Sequence, residues 1–207
     1  MWRSISDQFM PAYNVVAPDL IGYGTAPAWA GSAALSLRDE TQRAAAAIPC
    51  CERRVHLVGY SYGGAVALEF ALANPVRIES LVLVEPVFFA ALRYAGNDQD
   101  LERFRQLRRA FNQALDSGNV EEARRDFVDF WAGAAALRGL ADRTLIVRGD
   151  RSPPPMQALV DGLHGLMPGS THAVIRGANH LSPLTHAAQL AALLASHLHA
   201  AYERSLR

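Results

Sequence analysis

The sequence predicts an α/β domain: a mostly parallel sheet with helices on both faces and an inserted helical cap. Three observations predict it. Short apolar runs bounded by Gly, Pro or Asp alternate with helical patterns along the 207 residues. The runs are apolar through their centres instead of alternating, as strands buried on both faces are. The alternation breaks once, over residues 88–138, where two helical stripes follow each other without a strand-like run between them.

Taken in order, the opening Met1-Trp2-Arg3-Ser4-Ile5-Ser6-Asp7 has no apolar central run and reads as neither signal peptide nor anchor. A first strand is expected over Tyr13 to Asp19, and a helix over Leu37 to Ile48, with charges near its start and an alanine run. Strand Arg54 to Gly59 leads into helix Tyr62 to Asn74, which stops at the pair Asn74-Pro75. Strand Ile78 to Glu85 follows. In the insertion, Leu101, Phe104, Leu107, Phe111 and Leu115 form one stripe, and Val120, Ala123, Phe127 and Trp131 another, separated by Ser117-Gly118-Asn119. Strand Arg143 to Gly149, helix Met156 to Met167, strand Thr171 to Arg176 and a long amphipathic helix over Leu184 to Leu206 complete the chain. The expected division is a core of residues 1–87 and 139–207 and a cap of residues 88–138, since long insertions in compact domains usually serve function.

Composition narrows the function. Twenty Lys and Arg balance twenty Asp and Glu, which excludes an electrostatic nucleic-acid binder or a basic membrane-surface protein as the default. The two cysteines, Cys50 and Cys51, are adjacent and close no ordinary loop, so a reduced, cytoplasmic setting is expected. No spacing of His, Cys, Asp and Glu reads as a metal site, and no cofactor is implied. The expected partner is a small molecule, with no nucleic acid and no membrane; a homo-oligomer is left open.

The sharpest signal is Val58-Gly59-Tyr60-Ser61-Tyr62-Gly63-Gly64, a Gly-x-Ser-x-Gly after a buried strand and before a helix. A serine alcohol is a weak nucleophile, and a tight strand-to-helix turn exposes it where a base reaches it. Glycines at 59 and 63 leave room for that turn. The following helix directs free N–H groups toward the position where an oxyanion develops.

With that motif, the sequence resembles the α/β-hydrolase fold family over nearly its whole length. Ala17-Pro18-Asp19-Leu20-Ile21-Gly22-Tyr23-Gly24 looks like the family's strand and loop, His56 to Gly64 like its nucleophile elbow, and Gly177-Ala178-Asn179-His180 like its histidine loop. The resemblance makes Ser61 the candidate nucleophile, His180 the base and the Tyr62 N–H an oxyanion donor. Many family members carry the triad acid three residues beyond the glycine that ends the penultimate strand, where Gly149-Asp150-Arg151-Ser152 has a serine. Two carboxylates compete for the role. Glu85, which ends an apolar strand beside the nucleophile strand, is costly to bury unless its charge is used. Asp150 is the alternative, two positions early. His186 reads either as a pocket residue or as the start of the last helix.

The resemblance also implies a gap. No His-Gly oxyanion loop precedes the segment at Tyr13, and the chain's opening looks like the helix that follows that loop. An N-terminally shortened hydrolase, a fragment or a mis-started reading frame, is therefore expected; the alternative is a minimal version in which the strands at Tyr13 and Arg54 pair directly. The functional expectation is a serine hydrolase of carboxylesterase type, cleaving a small to medium ester or related acyl compound through an acyl-enzyme. Tyr60, Phe88, Phe127 and Trp131 are the candidate substrate-binding residues. A non-catalytic ligand-binding protein or inactive remnant is the alternative.

Overall fold

The structure is a computed structural model, and it describes residues 1–32, 35–49, 54–86 and 133–206 together with Arg109, Gln113 and Ser117. Four parallel strands form one sheet in the order β1 (Val55–Tyr60), β2 (Ile78–Val84), β3 (Thr144–Gly149) and β4 (Thr171–Ile175). Neighbours in sequence are neighbours in the sheet. Right-handed crossovers between such strands place their helices on one face. Helix α3 (Tyr62–Ala73) follows β1 and α5 (Pro154–Leu166) follows β3. On that face they share a core with α2 (Leu37–Ala46) and α4 (Gly133–Arg138), closed over Leu81, Leu83 and Ile146. The opposite face, bearing Val82, Val84, Leu145 and Val147, is covered by α1 (Arg3–Phe9) and α7 (Ala187–Ser205) through Ile5, Leu190 and Leu194. Burial on both faces explains why β2 is apolar without alternation.

The helix ends follow local chemistry. Ser36 caps α2: its hydroxyl accepts the Asp39 N–H at 3.3 Å while the Asp39 carboxylate accepts the Ser36 N–H at 2.9 Å. Helix α3 stops at Asn74, whose side-chain amide donates to the Phe70 carbonyl at 3.0 Å ahead of Pro75. The last helix begins later than the sequence predicts. A four-residue α6 (Ser182–Thr185) precedes it, and His186, at φ −132° and ψ 37°, leaves the helical region between the two.

The expected strand over Tyr13 to Asp19 is not one. The segment runs without ladder pairing, so it does not pair directly with β1. Its apolar residues find no neighbouring strand to bury them: Val16 is 46% exposed, and Pro18 brings no N–H to a ladder. The segment is tied down at its ends instead. The Tyr13 ring meets His56 edge-on at 5.6 Å, and the Asp19 carboxylate takes the Thr25 N–H and hydroxyl at 2.9 and 3.0 Å. Of the predicted cap, the two long stripes lie outside the described residues. Its final turn is α4, whose Leu137 is buried in the main core.

Register aligns the carboxyl ends of the strands. Tyr60 sits beside Val84, Val84 beside Val147, and Gly149 beside Ile175. The residues just beyond these ends therefore gather along one edge of the sheet.

Two measurements check this packing. Leu83 is fully buried, and Leu83→Ala should lower the unfolding free energy by about 2–5 kcal/mol in urea titration, at unchanged secondary structure. Burial also holds His56 and His197 below the ordinary 6.5, despite the nearby Glu79 charge in one case and the Arg143 carbonyl in the other. Depressed folded values mean stability that is complete above pH 6.5 and lost as pH falls below it. Urea midpoints should fall on that side, and less steeply in His197→Gln.

Candidate active site

One residue separates β1 from α3. Ser61 takes φ 53° and ψ −123°, a conformation that L-residues adopt only under compulsion. Its surroundings supply that compulsion. A Cβ at Gly59 would lie 2.5 Å from the Gly63 carbonyl oxygen and 2.7 Å from the Ala67 Cβ, so only glycine lets the helix fold back so closely on the strand. The Ser61 N–H donates to the Val84 carbonyl at 3.0 Å, and the Ser61 carbonyl accepts the Gly64 N–H at 2.9 Å. Thus held, Ser61 Oγ lies 3.0 Å from His180 Nε2. The Tyr62 N–H is at the amino end of α3, where the helix dipole favours negative charge.

His180 is carried by the loop after β4. That loop is fastened to the end of β3: Asp150 Oδ1 accepts the Gly177 N–H at 2.7 Å, and the Arg151 N–H donates to the Ala178 carbonyl at 2.9 Å. Gly177 has φ 77°, the left-handed turn that aims the chain back over the sheet. From β1, the Tyr60 hydroxyl donates to the His180 carbonyl at 2.6 Å, and the two rings lie 5.1 Å apart. Burial and then the Glu85 charge raise the Tyr60 phenol above 10.0, so it is a donor at neutral pH.

Glu85 is fully buried just past β2, at φ 41°. Its Oε2 lies 2.6 Å from His180 Nδ1, while Oε1 accepts the Gly149 N–H at 2.7 Å and the Ser152 hydroxyl. Burial pushes this carboxyl up, but the hydrogen bonds from His180, Gly149 and Ser152 together outweigh it and hold the group below the ordinary 4.5. An ionised carboxylate only accepts, which places the imidazole proton on Nδ1 and leaves Nε2 to receive the Ser61 proton. The arrangement is suited to drawing a proton from the serine and stabilising the resulting imidazolium.

Of the residues singled out in the sequence, Ser61, His180, Glu85, Tyr60 and Tyr62 are brought together. Asp150 is close but faces the histidine loop, with its carboxylate on Gly177 instead of the imidazole. His186 meets the Thr185 hydroxyl at 2.8 Å beside α7. Phe88, Phe127 and Trp131 lie outside the described residues. Two residues escaped the sequence reading. Ser152, which stands where many family members carry the acid, is 3% exposed and is a donor to Glu85. Glu40, fully buried in α2, accepts the Ile21 N–H at 3.0 Å and the Tyr62 hydroxyl at 3.3 Å. Nothing in the sequence around Glu40 distinguishes it from the charged face of an ordinary helix. No group of three or more His, Cys, Asp or Glu suited to a metal occurs among the described residues.

A strained serine at the carboxyl edge of a parallel sheet, followed at once by a helix, defines a class of α/β domains organised around a nucleophile turn. The chain belongs to the alpha/beta hydrolase family, whose model matches residues 1–193. Among its relatives, the pimeloyl-[acyl-carrier protein] methyl ester esterase of Edwardsiella ictaluri is 36% identical over 136 residues, 61% of this chain and 50% of the relative. The chain spans about half the length of that esterase. The 2-hydroxymuconate semialdehyde hydrolase of Pseudomonas sp. strain CF600 is 26% identical over 231 aligned positions, 95% of this chain and 80% of the relative. The meta-cleavage product hydrolase of Pseudomonas fluorescens IP01 shares the fold, with a TM-score of 0.68 and 17% identity over 97% of this chain and 85% of that one.

The geometry separates the two acids by experiment. Glu85→Gln should lower turnover by about 10³- to 10⁴-fold, whereas Asp150→Asn should stay within about tenfold, because the Asp150 carboxylate meets the Gly177 N–H and not the imidazole. Because the folded value of Glu85 is depressed, its contribution to stability is complete above pH 4.5 and is lost as pH falls through the lowered value. The stability gap between wild type and Glu85→Gln should close over that acid range in chemical denaturation.

Proposed function

We propose that the protein is a serine hydrolase that cleaves a small to medium uncharged ester, or a related acyl compound, through an acyl-enzyme. The observation that carries this reading is the unbroken path from Ser61 Oγ to His180 Nε2 at 3.0 Å and from His180 Nδ1 to Glu85 Oε2 at 2.6 Å. Ser61 Oγ attacks the carbonyl carbon as its proton passes to Nε2. The carbonyl π pair moves to oxygen, and the Tyr62 N–H at the start of α3 stabilises that oxyanion. Collapse expels the alcohol, which takes the proton from Nε2. A water then repeats the sequence on the acyl-enzyme, giving the acid and restoring Ser61. Glu85 stays ionised throughout and holds the imidazole in the tautomer that each transfer needs.

Relatives named as a methyl ester esterase and as a semialdehyde hydrolase support an acyl substrate. The serine at the elbow supports ester chemistry over branches of the family that use an aspartate nucleophile. Aromatic residues of the 88–138 segment, among them Phe88, Phe127 and Trp131, are proposed as the wall of an apolar acyl pocket. No helix among the described residues is long and apolar enough to cross a membrane, and a cytoplasmic setting rests on the adjacent cysteines.

A fluorophosphonate probe tests the reading without a guess at the substrate. Wild type should label at Ser61 and turn over short-chain chromogenic esters, and Ser61→Ala should lose labelling and at least about 10³-fold in turnover. A folded wild-type protein that binds esters stoichiometrically without labelling or turnover would establish a ligand-binding protein instead.

A further inference from the structure

We propose that Tyr60 is a positioning residue for the base, a tether that fixes His180 over Ser61 from the nucleophile's own strand. The inference rests on the serine-hydrolase reading, and the topology of the sheet gives such a tether its task. Ser61 follows β1 and His180 follows β4, which are the first and last strands in the order β1-β2-β3-β4. Three strand spacings separate them, about 14 Å. The histidine loop must therefore reach back across the ends of β3 and β2.

Its fastenings are distributed strand by strand. Asp150 and Arg151, beyond β3, hold Gly177 and Ala178. Glu85, beyond β2, holds Nδ1. The Tyr60 hydroxyl, on β1, holds the His180 backbone carbonyl at 2.6 Å. Without that last bond, the loop is fixed over β3 and β2 while the serine stands on β1, and the His180 backbone loses its hydrogen bond to the nucleophile's strand. The Tyr60 ring also lies against the imidazole, tilted by 35° with centroids 5.1 Å apart, which limits swinging of the ring away from Ser61.

This gives Tyr60 a different task from the substrate contact expected of it in the sequence. Its hydroxyl is directed to the protein's own backbone, and the adjoining Ser61 is the residue whose partner it fixes. A displacement of the base by a fraction of an ångström lowers the rate without changing what the pocket binds, since positioning acts on the reacting geometry.

Tyr60→Phe keeps the ring and deletes the tether. It should lower kcat on a chromogenic ester by about 5- to 30-fold with KM within about twofold, and slow fluorophosphonate labelling of Ser61 by a similar factor. Amides of residues 177–182 should exchange hydrogen faster than in wild type. Wild-type labelling with an equal rate and equal kcat in Tyr60→Phe would overturn the tether while leaving the hydrolase reading intact, as would a change confined to KM. A wild-type protein that does not label would overturn the hydrolase reading and the catalytic role with it; unchanged exchange at 177–182 would then also remove the tether.

Discussion

The rest of the site depends on the ionisation of one buried carboxylate. Glu85 has no exposed surface, and an uncompensated charge in that position would cost several kcal/mol. Three donors from two parts of the chain meet it: the Gly149 N–H at the end of β3, the Ser152 hydroxyl just beyond, and His180 Nδ1 from the loop after β4. Each charge-assisted bond of this kind contributes about 1.5–3 kcal/mol, enough together to keep the group ionised. One oxygen is committed to the scaffold and the other to the imidazole. That division of labour fixes the imidazole tautomer, and the tautomer fixes which nitrogen faces Ser61.

The backbone bears the same signature. Among the described residues, the non-glycine positions with positive φ are Ser61 and Glu85. Strain of this sort costs about 1–3 kcal/mol per residue and persists only where surrounding contacts over-determine the conformation. Here the contacts are visible: Ser61 N–H on the Val84 carbonyl and Glu85 N–H on the Val147 carbonyl. The sheet thus continues hydrogen bonding one residue past its strands, and the two side chains turn out of the sheet toward His180. Parallel register supplies the alignment, which is why residues 61, 85 and 180 meet although the chain separates them widely.

Much of this was legible in the sequence, for reasons that differ by element. The elbow was readable because Gly59 answers a steric need, seen in the closeness of Gly63 and Ala67 to the place a Cβ would take there; Gly63, expected to leave room in the same way, has open space where its Cβ would be. Strands β2 and β3 were readable because burial on both faces leaves an apolar run, whereas β4 leaves Thr171 and Val174 exposed and was readable from its apolar residues alone. The same rule misread Tyr13 to Asp19, because an apolar run does not state whether a neighbouring strand exists to pair with it. Glu85 was singled out by the cost of burying a charge. Ser152 was passed over because it is no acid, and its value as a neutral donor to the acid at the end of the neighbouring strand leaves no trace in local pattern. Glu40 was silent for a similar reason: both of its partners, Ile21 and Tyr62, come from distant parts of the chain.

The central claim is that an ionised Glu85 accepts the Nδ1 proton of His180. Proton NMR reads that hydrogen directly, because a proton shared between imidazole and a buried carboxylate resonates far downfield of the amide region. Wild type should show this signal, Asp150→Asn should retain it, and Glu85→Gln should lose it. A spectrum in which Asp150→Asn abolishes the resonance and Glu85→Gln preserves it would contradict the account.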